Sequence, residues 1–331
     1  MENIKEKMIN SASEALKHLI NPSSADKALI LSDTHSQNIA SAFSEALRRL
    51  NCGFDSYLIE DNLRPLKEIP EGLEKLLHEQ TIVLNIIRAF PDEIPFRIKW
   101  IQKVEEIKKI KMAHMPGITE RMMLSSVNVD YNKMRLAADR LLNGVENAVR
   151  MHITTAEGTD ISLGLNGRDF ISDIGVKEGR MCNIPCGEIY CAPLETEADG
   201  VIVFNASIGD IGLLQHPLKV FVSGGKITGF ESEDADLVKR ITELTEIDAD
   251  ARMIGELGIG VNPGAHITGN MLEDEKAPGT AHIAFGNNED FPSGGKNRSQ
   301  IHRDYLFYRP TIEAEYKNGQ KKFLIREGGI L

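Results

Sequence analysis

From residue 27 to residue 115, short apolar runs alternate with segments of helical spacing, and few folds satisfy that pattern. Residues 27–32 (KALILS) form a compact apolar run. Residues 37–50 then repeat apolar side chains at helical spacing until Asn51-Cys52-Gly53 closes the segment. Residues 54–59 read as a second strand, 72–78 as a short helix, 81–87 (TIVLNII) as a buried strand, 96–107 as an amphipathic helix and 110–115 as a fourth strand. Strands alternating with helices predict a mostly parallel sheet covered on both faces. No glycine fingerprint follows the first strand, where Asp33-Thr34-His35-Ser36 stands instead, so a dinucleotide site has little support. His35 and His114 close predicted strands, where open α/β sheets place ligands; His114 is the stronger candidate because Pro116-Gly117 then turns the chain.

After residue 125 the pattern changes. Residues 132–148 read as a linking helix. Hairpins follow at 149–155 with 159–165, at 218–223 with 226–230, and at 305–308 and 311–316 with 321–325. Residues 200–205 form a further strand, and one helix at 235–247 interrupts the set. The expected organisation is an α/β domain over 1–125 and an α+β, β-rich, metal-binding domain over 126–331, with substrate in the cleft between them.

Charge narrows the function. The 331 residues carry 38 Lys+Arg against 49 Asp+Glu, a net charge of −11, which argues against nucleic-acid or anionic-membrane partners. Neither a secretory signal nor an apolar run long enough to span a bilayer is seen, and four cysteines imply a reducing compartment, so a cytoplasmic protein is expected.

Candidate chemistry gathers late in the chain. Nine of the 28 glycines lie within the 41 residues from Gly255 to Gly295. Such density should weaken regular structure. The stretch also holds Glu256, Glu273, Asp274, Glu275, His282, Glu289 and Asp290, so a metal could organise Gly-rich loops. His302 and Asp304 follow. On a strand they would share one face while Arg303 points away, offering one imidazole and one carboxylate. Glu188 is the lone carboxylate of an apolar decapeptide, and a metal, an arginine or a helix N-terminus would offset its burial. Cys182, Cys186 and Cys191 surround it at a spacing that matches no usual zinc or iron–sulfur pattern, and they read as small buried apolar residues.

Several segments together resemble the thermophilic metallo-aminopeptidase family, which includes aminopeptidase T and aminopeptidase S. They are residues 256–263 (ELGIGVNP), 268–270, 274–276 (DEK), 279–284 (GTAHIA), 302–304 (HRD), 185–193 around Glu188, and 158–160. The resemblance covers most of residues 115–312. It implies two divalent ions (zinc, cobalt or manganese) held by Glu188, Glu256, His282, His302 and Asp304, with Glu256 bridging. It also implies a homodimer acting on peptides. Glu256 or Glu275 would take a proton from water, and a metal or Lys276 would face the oxyanion. The family's tyrosine, seven residues past the histidine, is Glu289 here. The resemblance extends to a ring-cleaving dihydroxypyridine dioxygenase, which implies the alternative of one Fe(II) on His282, His302 and Asp304, with His114 moving protons. A binding protein that keeps the fold without turnover is the third class.

Overall fold

A computed structural model describes residues 4–176, 180–289 and 291–331. The chain groups into two compact units, Met1–Tyr131 with Asp173–Cys186, and Asn132–Ser172 with Gly187–Leu331.

The first unit is built on a parallel sheet. Its strands are β1 (Lys27–Asp33), β2 (Gly53–Ile59), β3 (Ile82–Ile86), β4 (Lys111–His114) and β5 (Met181–Asn183), in the order β2-β1-β3-β4-β5. Every neighbouring pair is parallel. All five residues of β3 are buried, as expected of a strand covered on both faces. The helix Gln37–Arg49 buries Ile39, Ala40, Ala42, Phe43, Ala46 and Leu47 along one side. Asn51 ends it in the left-handed region, at φ 56°. One face of the sheet packs Leu29, Leu31, Val83 and Met112 against Phe96, Trp100 and Val104. The sequence pattern did not indicate the helix Ile4–Ala15, its continuation Leu16–Ile20, or the distant β5.

The second unit holds two antiparallel sheets among the described residues. One runs from Lys226–Glu231 at one edge to Gly329–Ile330 at the other and contains the predicted hairpins at 149–165, 218–230 and 311–325, whereas residues 305–308, read as part of the third, lie in the other sheet. The other has β6 (Glu188–Cys191), β7 (Ile254–Gly260), β8 (Thr280–Gly286) and β9 (His302–Tyr308) adjacent in the order β9-β8-β7-β6. Alternation sorts the faces of this sheet. Phe285, Tyr305 and Phe307 turn to the core, where Phe204 of the first sheet lies 5.1 Å from Tyr305 and 5.9 Å from Phe307 between ring centroids. His302, Asp304, His282, Glu256 and Glu188 fall on the opposite face.

One expectation is corrected here. Four of the nine glycines in the glycine-rich stretch, Gly255, Gly258, Gly260 and Gly286, lie in β7 and β8, which are buried throughout, so this part is regular strand and not loop, while the other five lie outside those two strands. Three of its glycines serve close packing. A Cβ at Gly258 would lie 2.0 Å from His282 Nε2, one at Gly260 2.1 Å from the Ala277 carbonyl, and one at Gly255 3.0 Å from the Gly286 carbonyl.

Candidate metal centre

Strand register assembles the candidate residues. Glu188 is the partner of Gly260, Gly258 that of His282, and both Glu256 and Asp304 are partners of Ala284. His302 faces Gly286 at the end of β9. With no side chain on Gly258, the His282 ring lies over that strand and reaches carboxylates on both sides. Its Nε2 is 3.3 Å from Glu188 Oε2 and 3.6 Å from Glu256 Oε1. The other Glu256 oxygen, Oε2, is 2.9 Å from His302 Nε2. His302 Nε2 is also 3.5 Å from Asp304 Oδ1, so the two residues converge as their i, i+2 spacing on a strand predicts. Arg303 points away, to Asp210 and the Leu244 carbonyl.

The side chains form two groups, Glu188–Glu256–His282 and Glu256–His302–Asp304, and within each the donor atoms lie within 4.8 Å of one another. Glu256 belongs to both. Its two oxygens face different histidines, Oε1 toward His282 and Oε2 toward His302. His282 and His302 do not fall within one group. Glu273 and Asp274 are buried nearby in sequence but join neither group; Asp274 instead accepts from the Thr268 and Gly269 backbone.

The electrostatics are those of a cation site. Burial works against the Glu256 carboxylate, but its contacts with His282 and His302 outweigh burial and hold the carboxyl down at about 2. Burial also works against a charged His282, and Glu256, Glu188 and Asp304 overcome it, raising the imidazole to about 9. His302 is likewise raised, despite burial, by Asp304 and Glu256. Imidazolium charge thus balances the carboxylates in the protein alone, and a divalent ion among the same atoms would replace it. The donor set fits such an ion. Both ring nitrogens of buried His282 and the buried Asp304 Oδ1 lack a hydrogen bond among the described residues. Two neutral imidazoles with carboxylates suit zinc, cobalt or manganese. His302 Nδ1 lies 2.7 Å from the Asn287 carbonyl, which fixes the ring with Nε2 toward the carboxylates.

The remaining sequence candidates separate from this group. Glu289 accepts from Arg298 Nε at 2.6 Å on an exposed loop and joins neither group, while Asp290 lies outside the described residues. His114 is buried in the first unit, its Nδ1 3.3 Å from Asn85 Nδ2, and Asn85 accepts from Trp100 Nε1 at 2.8 Å. Burial, with a smaller push from Arg97, lowers the His114 imidazole to about 3. His35 is exposed beside Thr34 and Arg88. The four cysteines are free and buried, and none belongs to either group.

Lys276 differs most from what its sequence context suggests. Following two acidic residues, it is nevertheless fully buried, with its ammonium against Glu188 Oε1 and 2.8 Å from Glu275 Oε1. Burial pushes the Glu275 carboxyl up, and the Asp304 charge adds to that, against the opposing pull of Lys276. Sequence reasoning found the carboxylates but missed that Gly258 and Gly260 make the room in which His282 and Lys276 meet them.

No helix among the described residues is long and apolar enough to cross a membrane. Residues 131–329 match the family model "Thermophilic metalloprotease (M29)". No curated protein sequence matches the chain. Wild-type AmpT from Thermus thermophilus is similar in structure at 16% identity, with a TM-score of 0.76 over 99% of this chain and 100% of that one. The 2,5-dihydroxypyridine dioxygenase from Pseudomonas putida KT2440 is similar at 17% identity, with the same TM-score of 0.76 over 98% of this chain and 96% of that one. The two likenesses fix the fold and do not separate the two chemistries.

Proposed function

Because the chain belongs to the thermophilic metalloprotease family, we propose that it is a metal-dependent aminopeptidase that removes N-terminal residues from peptides. The observation that carries this reading is the shared Glu256, with one oxygen toward each of two separate histidine–carboxylate groups. Glu188, Glu256 and His282 would hold one divalent ion, and Glu256, His302 and Asp304 the other. Such a pair supplies Lewis-acid polarisation of the scissile carbonyl and an acidified water.

The chain's own residues do the rest. Asn287 holds the His302 ring, and Gly258 admits the His282 ring over β7. The low carboxyl of Glu256 makes it a poor base, which suits a bridging ligand. The raised carboxyl of Glu275 suits it to accept a proton from water and pass it to the leaving amine at Oε1 or Oε2. Lys276 is occupied by carboxylates, so its ammonium is not assigned to the oxyanion, a charge that bound ions would face instead.

The alternative of one Fe(II) on His282, His302 and Asp304 is less well supported, because the two histidines sit in separate groups. Metal stoichiometry combined with aminoacyl-substrate hydrolysis tests the proposal. About two zinc, cobalt or manganese ions per chain and metal-dependent release of the N-terminal residue are expected. A single iron, with oxygen uptake on hydroxylated aromatic acids and no peptide hydrolysis, would overturn it.

A further inference from the structure

We propose that Lys276 is a positioning residue for the Glu188–Glu256–His282 group, holding Glu188 so that one carboxylate oxygen is occupied and the other faces His282. The inference rests on the metal-site reading above and adds a residue to it.

The backbone makes the contact possible. Glu188 is the register partner of Gly260. The Lys276–Ala277 peptide packs onto the same glycine, where a Cβ would come within 2.7 Å of the Lys276 carbonyl carbon and 2.1 Å of the Ala277 oxygen. The Asn262 N–H donates to the Lys276 carbonyl at 2.9 Å and pins the peptide there. The lysine side chain therefore starts above the strand that pairs with Glu188 and runs to it without reaching solvent. A lysine buried to that extent is costly unless paired. Here the ammonium meets Glu188 Oε1 and Glu275 Oε1, while Glu188 Oε2 stays 3.3 Å from His282 Nε2. One carboxylate is thus divided between a fixed cation and the imidazole of the group. Without Lys276, Glu188 would lose the contact that selects its rotamer and the oxygen it presents.

Residues that orient a metal ligand from behind affect affinity by about 10- to 100-fold when removed. The test is zinc titration of full-length protein against a chelating indicator, reading affinity and stoichiometry for wild type, Lys276→Met, Glu188→Ala and the double variant. Lys276→Met should weaken one of the two zinc ions by that factor and leave the other unchanged. In the Glu188→Ala background the same substitution should add nothing, because its effect passes through Glu188. Wild-type affinity for both ions in Lys276→Met, or a full further loss in the double variant, would overturn the inference. If the Met variant fails to fold, Lys276→Gln keeps a donor and should show a smaller loss at the same ion, with two ions at wild-type affinity again overturning it. Wild-type protein that takes up no divalent ion would remove the metal-site reading, and this inference with it. Wild type that binds two, beside an unaltered variant, would remove this inference alone.

Discussion

Gly258 and His282 are register partners across β7 and β8, and the imidazole occupies the space where a side chain on residue 258 would stand. The ring's reach to Glu188 and Glu256 depends on that missing methyl group.

Gly258→Ala should therefore damage the site more than the fold. The new Cβ would sit 2.0 Å from His282 Nε2 and 2.1 Å from Cε1, so the ring must turn away. Overpacking of this kind costs about 1–3 kcal/mol. A modest drop in melting temperature is expected, with loss of about one ion per chain in elemental analysis. A variant that keeps both ions would show that the ring's position does not matter.

Glu275→Gln separates proton transfer from metal holding. The carboxyl is raised by burial and lies outside both groups. Turnover should fall by about 10²- to 10⁴-fold, the range for a lost general base, while both ions stay bound. Loss of an ion with the activity would reassign Glu275 to the ligand set.

The metal-stripped protein should lose stability toward alkaline pH. The His282 imidazole stands at about 9 in the folded chain, against the ordinary histidine value of 6.5. A raised value contributes stability that is full below pH 6.5 and is lost as pH climbs through 9, by at most about 3 kcal/mol. Calorimetry in a chelator should show the melting temperature falling across that window. With zinc bound the fall should shrink, since a ligating imidazole is already neutral. A metal-stripped transition unchanged between pH 6.5 and pH 9 would contradict the charge balance described for the site.

Glu289→Ala should be nearly silent. Its carboxylate pairs with Arg298 at the surface, and exposed pairs contribute about 0–1 kcal/mol. Metal stoichiometry should not change. A lost ion would make Glu289 a ligand after all.

Much of this was legible in sequence. The apolar runs at 27–32 and 81–87 announced buried parallel strands because both faces of each are covered. His302 and Asp304 announced a shared face because strand alternation is local. Other features depend on partners far away in the chain. Gly258 and Gly260 look like loop residues until the His282 ring and the Lys276–Ala277 peptide are seen against them. Lys276 looks solvated until Glu188, 88 residues earlier, is placed beside it. The segment Asp173–Cys186 groups with the first unit through β5, although the second unit's stretch Asn132–Ser172 precedes it. Local composition carries no trace of such a return.

Exposure differs across the site: the His282 side chain is 1% exposed and that of His302 30%. On the proposed assignment, an ion held through His282 would exchange more slowly than one held through His302, although Glu256 is common to both groups. An ion first taken up by the His282 group would then leave more slowly than one taken up by the His302 group. The metal content of a preparation would therefore record the order in which ions reached the folded chain as well as their affinities.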